Sequence, residues 1–475
     1  MLIQVRKTRR RGALLAATTC ALLVASGSAV AAVTPGTASD PAAQAWSVDL
    51  ATLTADDTGV RHSDGGLRLS SPADDGAAAP AEDGAATLAA DAPATVPDAG
   101  TQATTPDAGT QATGPTEPTE PTGPAAAPSA TADQEHSGQL VAPPVTLDEP
   151  AGSVTAEVDA TTPHGTSVLV DVRARLIEQG PDAWTEWVPA GSTLPAASGT
   201  VQARVTLVGA QAAGPTVREV TLTPVSPRSR SLQEVEAESA TTSAADVYRV
   251  FATREGLVGG TTANGHVITQ RDHFVALPSR RGLSANSSGS YSVRVCAAST
   301  GRCAYAPVWD VGPWNTTDDY WNAASTRQSW TDLPQGRPQS QAAYEDGYNG
   351  GLDGFGRRVA NPAGIDLGDG TFWDGLGLTD NAWTTVTYLW TGSGPRGIVR
   401  TSGGPLTVRS GPGTGTSAVG LAGNHANVVI ECTATGTTVT GTYGTTNVWN
   451  RIGPGNWVSD AYVNTGSSAP VAPSC

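Results

Sequence analysis

Alternation between apolar and polar residues, interrupted by turns rich in Gly and Pro, runs along much of the chain and predicts a mostly β protein. In "SVLVDVRA" at 167–174 every second position is a small or branched apolar residue, which is the periodicity of a strand. A comparable run follows at 201–208. Several short strands of this kind predict a β-sandwich over 139–226. The run at 46–70 has the same character, so we assign 32–71 to the same sandwich.

Two low-complexity stretches interrupt these patterns. Residues 72–138 are mostly Ala, Pro, Thr, Gly and Asp, and "PDAGTQAT" occurs twice, at 97–104 and 106–113. Such a composition cannot bury enough apolar surface to offset the entropy lost on ordering. We therefore predict a disordered tether at 72–138 and a shorter polar linker at 227–244.

The rest of the chain contains two more strand-rich segments. Residues 245–395 include the strand-like run "VYRVFATREG", the hairpin "YSVRVCAASTGRCAYAPVWDVGP" and the closing run "AWTTVTYLW". Residues 396–475 are rich in Gly, with short Val/Thr runs. This second pattern predicts a small C-terminal β-barrel.

The first 31 residues have the three parts of an export signal. A basic start, "MLIQVRKTRRRG", precedes the apolar run "ALLAATTCALLVA" and the small residues "SGSAVAA". We predict a signal peptide at 1–31, with the mature chain beginning near Ala32. The apolar run is shorter than the roughly 20 residues that a membrane span needs, so we expect no membrane anchor.

Charge and cysteine content agree with export. The formal net charge is −16, and the first 31 residues carry five basic residues and no acidic one, so the mature chain is more acidic still. This balance argues against nucleic acid as a partner. After loss of Cys20 four cysteines remain, and an even set in an exported chain indicates disulfides. Because Cys296 and Cys303 bracket a tight loop, we expect Cys296–Cys303 and Cys432–Cys475 pairs.

Aromatic residues are concentrated in 245–395, which holds 18 of the 25 Trp, Tyr and Phe residues. "APVWDVGPWNTTDDYW", from 306 to 321, places three tryptophans around Asp310. Asp310 is either a capping acid before a turn or the centre of a sugar-binding site. Aromatic residues on loops can stack on sugars or cover the end of a barrel. The candidates for glycan binding are Trp309, Trp314, Tyr320, Trp321 and Trp330.

The order of segments in 245–395 resembles the double-psi β-barrel of rare lipoprotein A-like proteins, expansins and a group of lytic transglycosylases. The residues that carry the resemblance are Thr262-Ala263-Asn264-Gly265, the Phe274–Pro278 run, the strand pair around Gly301-Arg302, "WDVGPW" and "GIDL" at 364–367. The resemblance implies a six-stranded barrel whose groove holds a glycan.

Asp310 takes the position of that family's main functional acid, directly before the Gly-Pro turn. In the transglycosylase members this acid protonates the glycosidic oxygen and then helps a sugar hydroxyl to close on the anomeric carbon. Such work needs a pKa raised by apolar neighbours, here Trp309 and Trp314. Asp366 in "GIDL" matches the supporting acid. An ordinary two-acid hydrolase is the alternative.

The chain also departs from the family pattern. Many rare lipoprotein A-like proteins have Glu directly after the Thr-Ala-x-Gly turn, where this chain has His266. Asp272 and His273 are the next candidates nearby. Expansin-like members keep the equivalent of Asp310 yet loosen walls without hydrolysis, so the missing Glu favours binding over cleavage.

A long insert at 314–362 is predicted to form a lid or wall of the groove. It contains several acids, namely Asp318, Asp319, Glu345, Asp346 and Asp353. Their spacing does not fit an EF-hand loop, and Asp-Gly pairs are first of all turns. We therefore expect no metal and no other cofactor.

The C-terminal segment contains "LTVRSGPGTGTSAVG" followed by "VWNRIGPGNWVSDAYV". Together, over about 398–464, these resemble the bacterial Src-homology-3 domain, and that family implies binding to cell-wall peptides. The prediction is thus a protein that is secreted, extracellular or cell-wall associated and binds or remodels peptidoglycan or a related wall glycan. As an enzyme it would be a peptidoglycan lytic transglycosylase. The alternative is a non-catalytic expansin-like or structural surface protein.

Overall fold

The computed structural model describes residues 45–70, 135–226 and 244–475, apart from residues 55, 64, 165, 180–182 and 211–213. The predicted signal peptide at 1–31 lies outside the described residues. So do 72–134 of the predicted tether and 227–243 of the predicted linker. The described chain is mostly β, as predicted.

The N-terminal strands form one nine-stranded sheet. Its members are β1 (Trp46–Ser47), β2 (Val60–Ser63), β3 (Gly66–Leu69), β4 (Glu135–Val141), β5 (Val145–Thr161), β6 (Ser167–Ala174), β7 (Val188–Pro189), β8 (Thr193–Ala210) and β9 (Thr216–Val225). The long strand β5 pairs with β8 along its first part and with β9 along its second. The strands on both sides, represented by Leu67, Val172, Leu207 and Val220, share one core. The predicted sandwich is therefore a single sheet folded over a common core.

The next six strands close into a barrel. They are β10 (Val247–Glu255), β11 (Val275–Leu277), β12 (Ser292–Ala297), β13 (Arg302–Val311), β14 (Ala363–Gly368) and β15 (Ala382–Tyr388). Around the barrel the order is β10, β14, β11, β13, β12, β15 and back to β10. β10 is parallel to β14 and β11 to β13, and the other pairs are antiparallel. This confirms the predicted closed six-stranded barrel.

The predicted alternation explains why the barrel forms. Val293 and Val295 on β12, and Ala304, Ala306 and Val308 on β13, occupy every second position and lie in the barrel core. Burying one face of each strand in this way is the main driving force for closing the sheet.

The insert between β13 and β14 contains helix α1 (Gln339–Asp346). The described residues also form five 3₁₀ helices, at Ile177–Gln179, Arg280–Gly282, Tyr348–Gly351, Leu389–Thr391 and Asp460–Tyr462, and a π-helix at Gly370–Gly375. Several acids of the insert form ion pairs with arginines. Asp318 lies 2.5 Å from Arg327 with both side chains fully buried, and Asp353 pairs with Arg357 at 2.7 Å. These acids hold the insert together.

The C-terminal segment forms a second, smaller β structure. Its strands are β16 (Arg396–Val399), β17 (Leu406–Arg409), β18 (Ala418–Ala422), β19 (Asn427–Val429), β20 (Cys432–Gly441), β21 (Gly444–Gly453), β22 (Asn456–Ser459) and β23 (Val463–Asn464). Val399, Val408 and Val458 lie in its core. β18 pairs in parallel with β13, so the barrel sheet continues into this segment.

Both predicted disulfides are present. Cys296 and Cys303 join the neighbouring strands β12 and β13, and Cys432 joins β20 to the C-terminal residue Cys475. The second bond closes a loop with a sequence separation of 43 residues. Cross-links of this kind stabilise the fold mainly by restricting the unfolded chain.

The sandwich and the barrel meet through a buried ionic interface. Asp171 of β6 pairs with Arg204 at 2.8 Å and with Arg281 at 3.3 Å, and Arg281 also reaches Asp319 at 2.7 Å. Trp187 of the sandwich packs into the barrel core. The interface therefore combines apolar packing with paired charges.

Candidate functional site

Four residues on adjacent barrel strands stand in register. Thr253 of β10 pairs with Asp366 of β14, and Ala276 of β11 pairs with Asp366 on one side and Asp310 of β13 on the other. Residues in register on paired strands project from the same face of a sheet. The strand neighbours Ile365 and Leu367 point into the core, so this face is the outer face of the barrel.

A β-bulge brings Asp310 to this face. Val308 pairs with Val275, but Asp310 rather than Trp309 pairs with Ala276, so β13 has one extra residue at this point. A bulge of this kind changes the direction of the side chains that follow it. Without the bulge, Asp310 would share the inward orientation of Val308.

Asp310 is held by backbone donors. Its Oδ1 accepts hydrogen bonds from the N–H of Ala263 at 2.8 Å and from its own neighbour Val311 at 2.7 Å. Ala263 lies in the Thr262–Gly265 turn, where the Thr262 hydroxyl donates to Asn264 Oδ1. Gly265 has a φ of 84°, a conformation that favours glycine. The turn thus positions one oxygen of Asp310 and leaves the other for further contacts.

Asp366 is the second acid predicted for the site, and the structure brings it into the same row as Asp310. Burial raises the pKa of Asp366 to about 7, although a hydrogen bond from the Thr253 hydroxyl to its Oδ1 acts in the opposite direction. Gly312, which follows Asp310 and Val311, is so near that an added Cβ would lie 3.5 Å from Asp366 Oδ2. The segment "WDVG" at 309–312 and the segment "GIDL" at 364–367 therefore meet on the outer surface of the barrel.

Glu255 is a third acid at this site, and it is not among the residues predicted from the sequence. It follows Thr253 by two positions on β10, so it projects from the same face. Burial, and then the proximity of Asp310, raise the pKa of Glu255 well above its ordinary value, and Asp366 adds to this. Its Oε2 is buried without a hydrogen-bond partner among the described residues. Alternation within "ATREG" was the signal that could have revealed it.

Thr253, Glu255, Asp310 and Asp366 are called the acid row below. Its three acids have no ion-pair partner in the described part of the chain. The raised pKa of Glu255 favours the protonated form of its carboxyl beside Asp310. A protonated carboxyl next to a second carboxyl is the arrangement used in general acid–base catalysis.

The predicted aromatic residues divide into two groups. Tyr320 and Trp321 are fully buried in the interior of the barrel region; Tyr320, for example, donates to the Gly364 carbonyl at 2.9 Å. They cannot stack on a glycan, which corrects their predicted role. Trp309 is also largely buried, between Phe274 and His266.

Trp314 and Trp330 are the two predicted aromatic residues that remain partly exposed. Trp314 follows the Gly312-Pro313 turn beside Asp366, and its Nε1 donates to Asn361 Oδ1 at 3.1 Å. Trp330 lies in the insert, where it packs against Tyr348 with the ring centres 5.9 Å apart. Both residues have a positive φ, 62° and 60°. Trp314 is thus the better placed of the two for a ligand at the acid row.

His266, Asp272 and His273 line a different site. They border a cleft of about 640 Å³ between the barrel and the C-terminal segment, together with Asn424 and His425; the cleft is called the junction cleft below. His266 Nε2 lies 2.8 Å from Asp272 Oδ2, and Trp309 also borders this cleft. His266 therefore contacts Asp272 rather than replacing a catalytic Glu beside Asp310.

The other two histidines of the junction cleft are neutral at pH 7. Burial lowers the pKa of His273 to about 4. Burial, followed by the nearby Arg400 guanidinium, lowers the pKa of His425 to about 4. A neutral imidazole offers one donor and one acceptor.

A second concave surface lies on the C-terminal segment. This groove has a volume of about 350 Å³ and is lined by side chains that include Leu406, Arg409, Val439, Trp449 and Tyr462; it is called the C-terminal groove below. Leu406, Arg409, Trp449 and Tyr462 are among the residues that carry the resemblance to the Src-homology-3 domain.

Two proteins of Bacillus subtilis (strain 168) are similar to part of this chain. The uncharacterized protein YraI is 46% identical over 87 residues, which cover 16% of this chain and 72% of YraI. The uncharacterized protein YraJ is 45% identical over 86 residues, covering 16% of this chain and 73% of YraJ. The chain belongs to the family of these proteins. In addition, residues 246–387 match a domain of unknown function, DUF8814.

The matched domain contains the entire acid row, since Thr253, Glu255, Asp310 and Asp366 all lie within 246–387. It also contains the insert and its ion-paired acids. Glu345 and Asp346 of the insert both contact Arg337. Among the described residues there is no cluster of three or more His, Cys, Asp or Glu side chains that could hold a metal ion.

None of the helices in the described ranges is both long enough and apolar enough to cross a bilayer.

Proposed function

We propose that this is a secreted, cell-wall-associated protein whose barrel binds and remodels peptidoglycan or a related wall glycan at the acid row. The observation that carries the proposal is the placement of Glu255, Asp310 and Asp366 on one outer face without a compensating ion pair. Glu255 and Asp366 both have a raised pKa, and grouped acids with perturbed pKa values are typical of catalytic sites.

The acid row supplies the groups that glycan cleavage needs. Asp310 is more exposed than Glu255, so Asp310 contacts the substrate. Glu255 supplies the proton that Asp310 transfers. Asp310 donates a proton to the glycosidic oxygen as the bond from this oxygen to the anomeric carbon breaks. A hydroxyl of the same sugar then bonds to the anomeric carbon and returns its proton to Asp310. The products are a shortened strand and an anhydro-sugar end, and no water is consumed.

A second candidate is a module that grips the glycan without cutting it. One observation favours it: Oδ1 of Asp310 is already occupied by the N–H groups of Ala263 and Val311. An acid held by two donors in this way serves well as a hydrogen-bond acceptor for sugar hydroxyls. In this version Trp314 provides the stacking surface.

Two further features fit a role at the wall. Both disulfides agree with an oxidising compartment. The C-terminal groove offers a site for wall peptides, which would keep the barrel close to its glycan.

Incubation of purified peptidoglycan with the mature protein tests the proposal, with anhydro-muropeptides measured by mass spectrometry. Asp310→Asn is the test variant. Asp159→Asn, in an exposed ion pair of the sandwich, is the control. Release by the wild type and the control, and not by Asp310→Asn, supports the enzyme.

If nothing is released, the binding version is tested by sedimentation of the protein with insoluble peptidoglycan. Pull-down that depends on Trp314 supports the binder. Absence of both release and pull-down contradicts the proposed function.

A further inference from the structure

A hydroxyl of the sandwich reaches the turn that holds Asp310. Thr58 lies just before β2 and forms an isolated bridge with Gln139 of β4, so its backbone belongs to the sandwich. Its Oγ1 donates to the Ala263 carbonyl, in the Thr262–Gly265 turn, at 2.7 Å. The two residues are 205 positions apart in the chain. The sandwich therefore contacts the same residue whose N–H donates to Asp310.

Both peptide groups of Ala263 are held in place. The N–H of Ala263 donates to Asp310 Oδ1 at 2.8 Å. The peptide group that follows accepts from Thr58 at the Ala263 carbonyl, and at its other end the Asn264 N–H donates to the Trp309 carbonyl at 3.2 Å. Because a peptide group is planar, these two contacts fix its orientation. One of them comes from the barrel and the other from the sandwich.

A buried guanidinium completes the contact. Arg280 begins the 3₁₀ helix that follows β11. Its Nη2 donates to the carbonyl of Ser137 on β4 at 2.8 Å, and its Nε donates to the Ser137 hydroxyl at 3.1 Å. Its Nη1 lies 3.3 Å from Thr58 Oγ1 and 3.4 Å from the Ala263 carbonyl oxygen. The Thr58 hydroxyl thus accepts from Arg280 and donates to Ala263.

Arg280 also brings a positive charge near the acid row. Burial lowers the pKa of Arg280 to about 10, and Asp310 acts in the opposite direction. The guanidinium is therefore charged at neutral pH and attracts Asp310. Because two of its nitrogens are bound to Ser137, the sandwich determines where this charge lies relative to Asp310.

We propose that Thr58 and Arg280 are positioning residues of the acid row, which makes the sandwich a part of the site. They hold the Ala263 carbonyl, and the Ala263 N–H in turn fixes Oδ1 of Asp310. Neither residue has to contact the ligand. This inference rests on the proposed function, since it takes Asp310 to act on the glycan, but it concerns the groups that hold Asp310.

Three variants of the full chain test the proposal. Thr58→Val keeps the approximate shape of the side chain and removes the hydroxyl, whereas Thr58→Ser keeps the hydroxyl. Thr166→Val is the matched control. Thr166 is also a partly buried threonine whose hydroxyl donates to a carbonyl at 2.7 Å, but its acceptor is Pro163, within the sandwich.

Amide hydrogen exchange measures the contact without any need for activity. The exchange rate of a single amide reports local opening of the structure around it. In Thr58→Val the Ala263 amide should exchange about fivefold faster, the change expected for the loss of one hydrogen bond. The amides of Val293 and Val295, in the barrel, should keep their wild-type rates. Thr58→Ser and Thr166→Val should match the wild type at Ala263.

Cleavage of solubilised peptidoglycan strands measures the consequence at the acid row. Thr58→Val should lower kcat about tenfold to a hundredfold, because a misplaced acid loses its alignment with the glycosidic oxygen. KM should stay unchanged, since the groups that contact the ligand remain. Thr58→Ser should restore kcat. If the wild type binds peptidoglycan without cleaving it, Thr58→Val should instead weaken its sedimentation with peptidoglycan, and Thr58→Ser should restore it.

Three results would overturn the inference. One is an unchanged exchange rate of the Ala263 amide in Thr58→Val. Another is an equal change in Thr58→Val and Thr166→Val, which would indicate a general loss of stability. The third is wild-type cleavage or binding by Thr58→Val although Ala263 exchanges faster. Faster exchange in a protein that neither releases anhydro-muropeptides nor sediments with peptidoglycan contradicts the proposed function alone.

Discussion

Buried carboxylates between the sandwich and the barrel are compensated by arginines, whereas those of the acid row are not. Asp171 shows the first case. Burial acts to raise its pKa, but the Arg204 and Arg281 guanidiniums outweigh burial and the pKa is lowered. Asp171 is therefore charged in the folded protein and is part of its framework.

In the acid row the balance is reversed. Glu255 and Asp366 both have a raised pKa, because burial and neighbouring acids act together. Arg280 acts electrostatically with Asp310, but it donates its hydrogen bonds to Ser137, and more weakly to the Ala263 carbonyl. Burial alone therefore does not distinguish the two kinds of acid. The difference is that Asp171 is paired with two arginines, whereas the acid row has no cation of its own among the described residues.

The largest effect is expected for Glu255→Gln. The change keeps the shape of the side chain and removes its proton-holding carboxyl, so we expect glycan cleavage to fall by about 10² to 10⁴-fold. Stability should change little, because the amide keeps the shape of a carboxyl whose raised pKa favours the uncharged form. Release of anhydro-muropeptides measures the loss of cleavage, and the midpoint of thermal unfolding measures the stability. Full activity in Glu255→Gln would show that Glu255 is a structural acid like Asp171.

The reciprocal change is Asp171→Ala, which leaves Arg204 and Arg281 buried without their shared partner. We expect a loss of about 3–5 kcal/mol in stability, measured by denaturant unfolding, with little direct effect on the chemistry of the acid row. Asp159→Ala removes one partner of an exposed pair and should change stability little. Equal effects of Asp171→Ala and Asp159→Ala would remove the distinction between framework acids and surface acids.

The two kinds of acid also predict opposite responses to pH. The pKa of Asp366 is about 7 in the folded protein against an ordinary value of 3.8, so the native state binds more protons than the unfolded state between these two pH values. Its contribution to stability is complete below about pH 4 and is lost as the pH rises through 7, at roughly 1.4 kcal/mol per unit of difference. The lowered pKa of Asp171 acts in the reverse sense, since its contribution is lost as the pH falls through the folded value.

Unfolding of the wild type and Asp366→Asn from pH 4.5 to pH 8 measures this slope. In Asp366→Asn the free energy of unfolding should fall less steeply as the pH rises. An identical slope in the two proteins would mean that Asp366 is not the titrating group.

A smaller effect is expected for Thr253→Val. The hydroxyl of Thr253 donates to Asp366 and lowers its pKa, against the larger effect of burial. Without the hydroxyl, the pKa of Asp366 should rise and the pH-dependent loss of stability should move to higher pH. The change in stability should be about 1 kcal/mol. Thr155→Val, at an exposed hydroxyl of the sandwich, is the control and should leave the pH dependence in place.

Much of the barrel and part of the acid row were predictable from sequence. The alternation in β12 and β13 identified the strands, and the order of "WDVGPW" and "GIDL" identified Asp310 and Asp366 as partners. Alternation in "ATREG" also places Thr253 and Glu255 on one face. The family pattern does not point to Glu255, because it places the acid after the Thr-Ala-x-Gly turn, where this chain has His266.

Other features depend on tertiary contacts that no local pattern reveals. Tyr320 and Trp321 lie in a stretch rich in Asn and Asp that indicates an exposed loop, yet both are packed in the interior. The bulge at Trp309 decides which way Asp310 points, and it is visible only from the register with β11. His266 and His425 are 159 positions apart in the chain and meet only because β18 docks beside β13.

The pairing of β13 with β18 has a consequence for anyone who wishes to exchange parts of this molecule. A cut at the predicted boundary between 395 and 396 would strip β13 of a neighbour and expose backbone groups from Cys303 to Tyr305, together with the buried ring of Tyr305. An uncovered strand edge of this kind is a template for self-association. The barrel and the C-terminal segment should therefore be expressed, or transferred to another protein, as one unit.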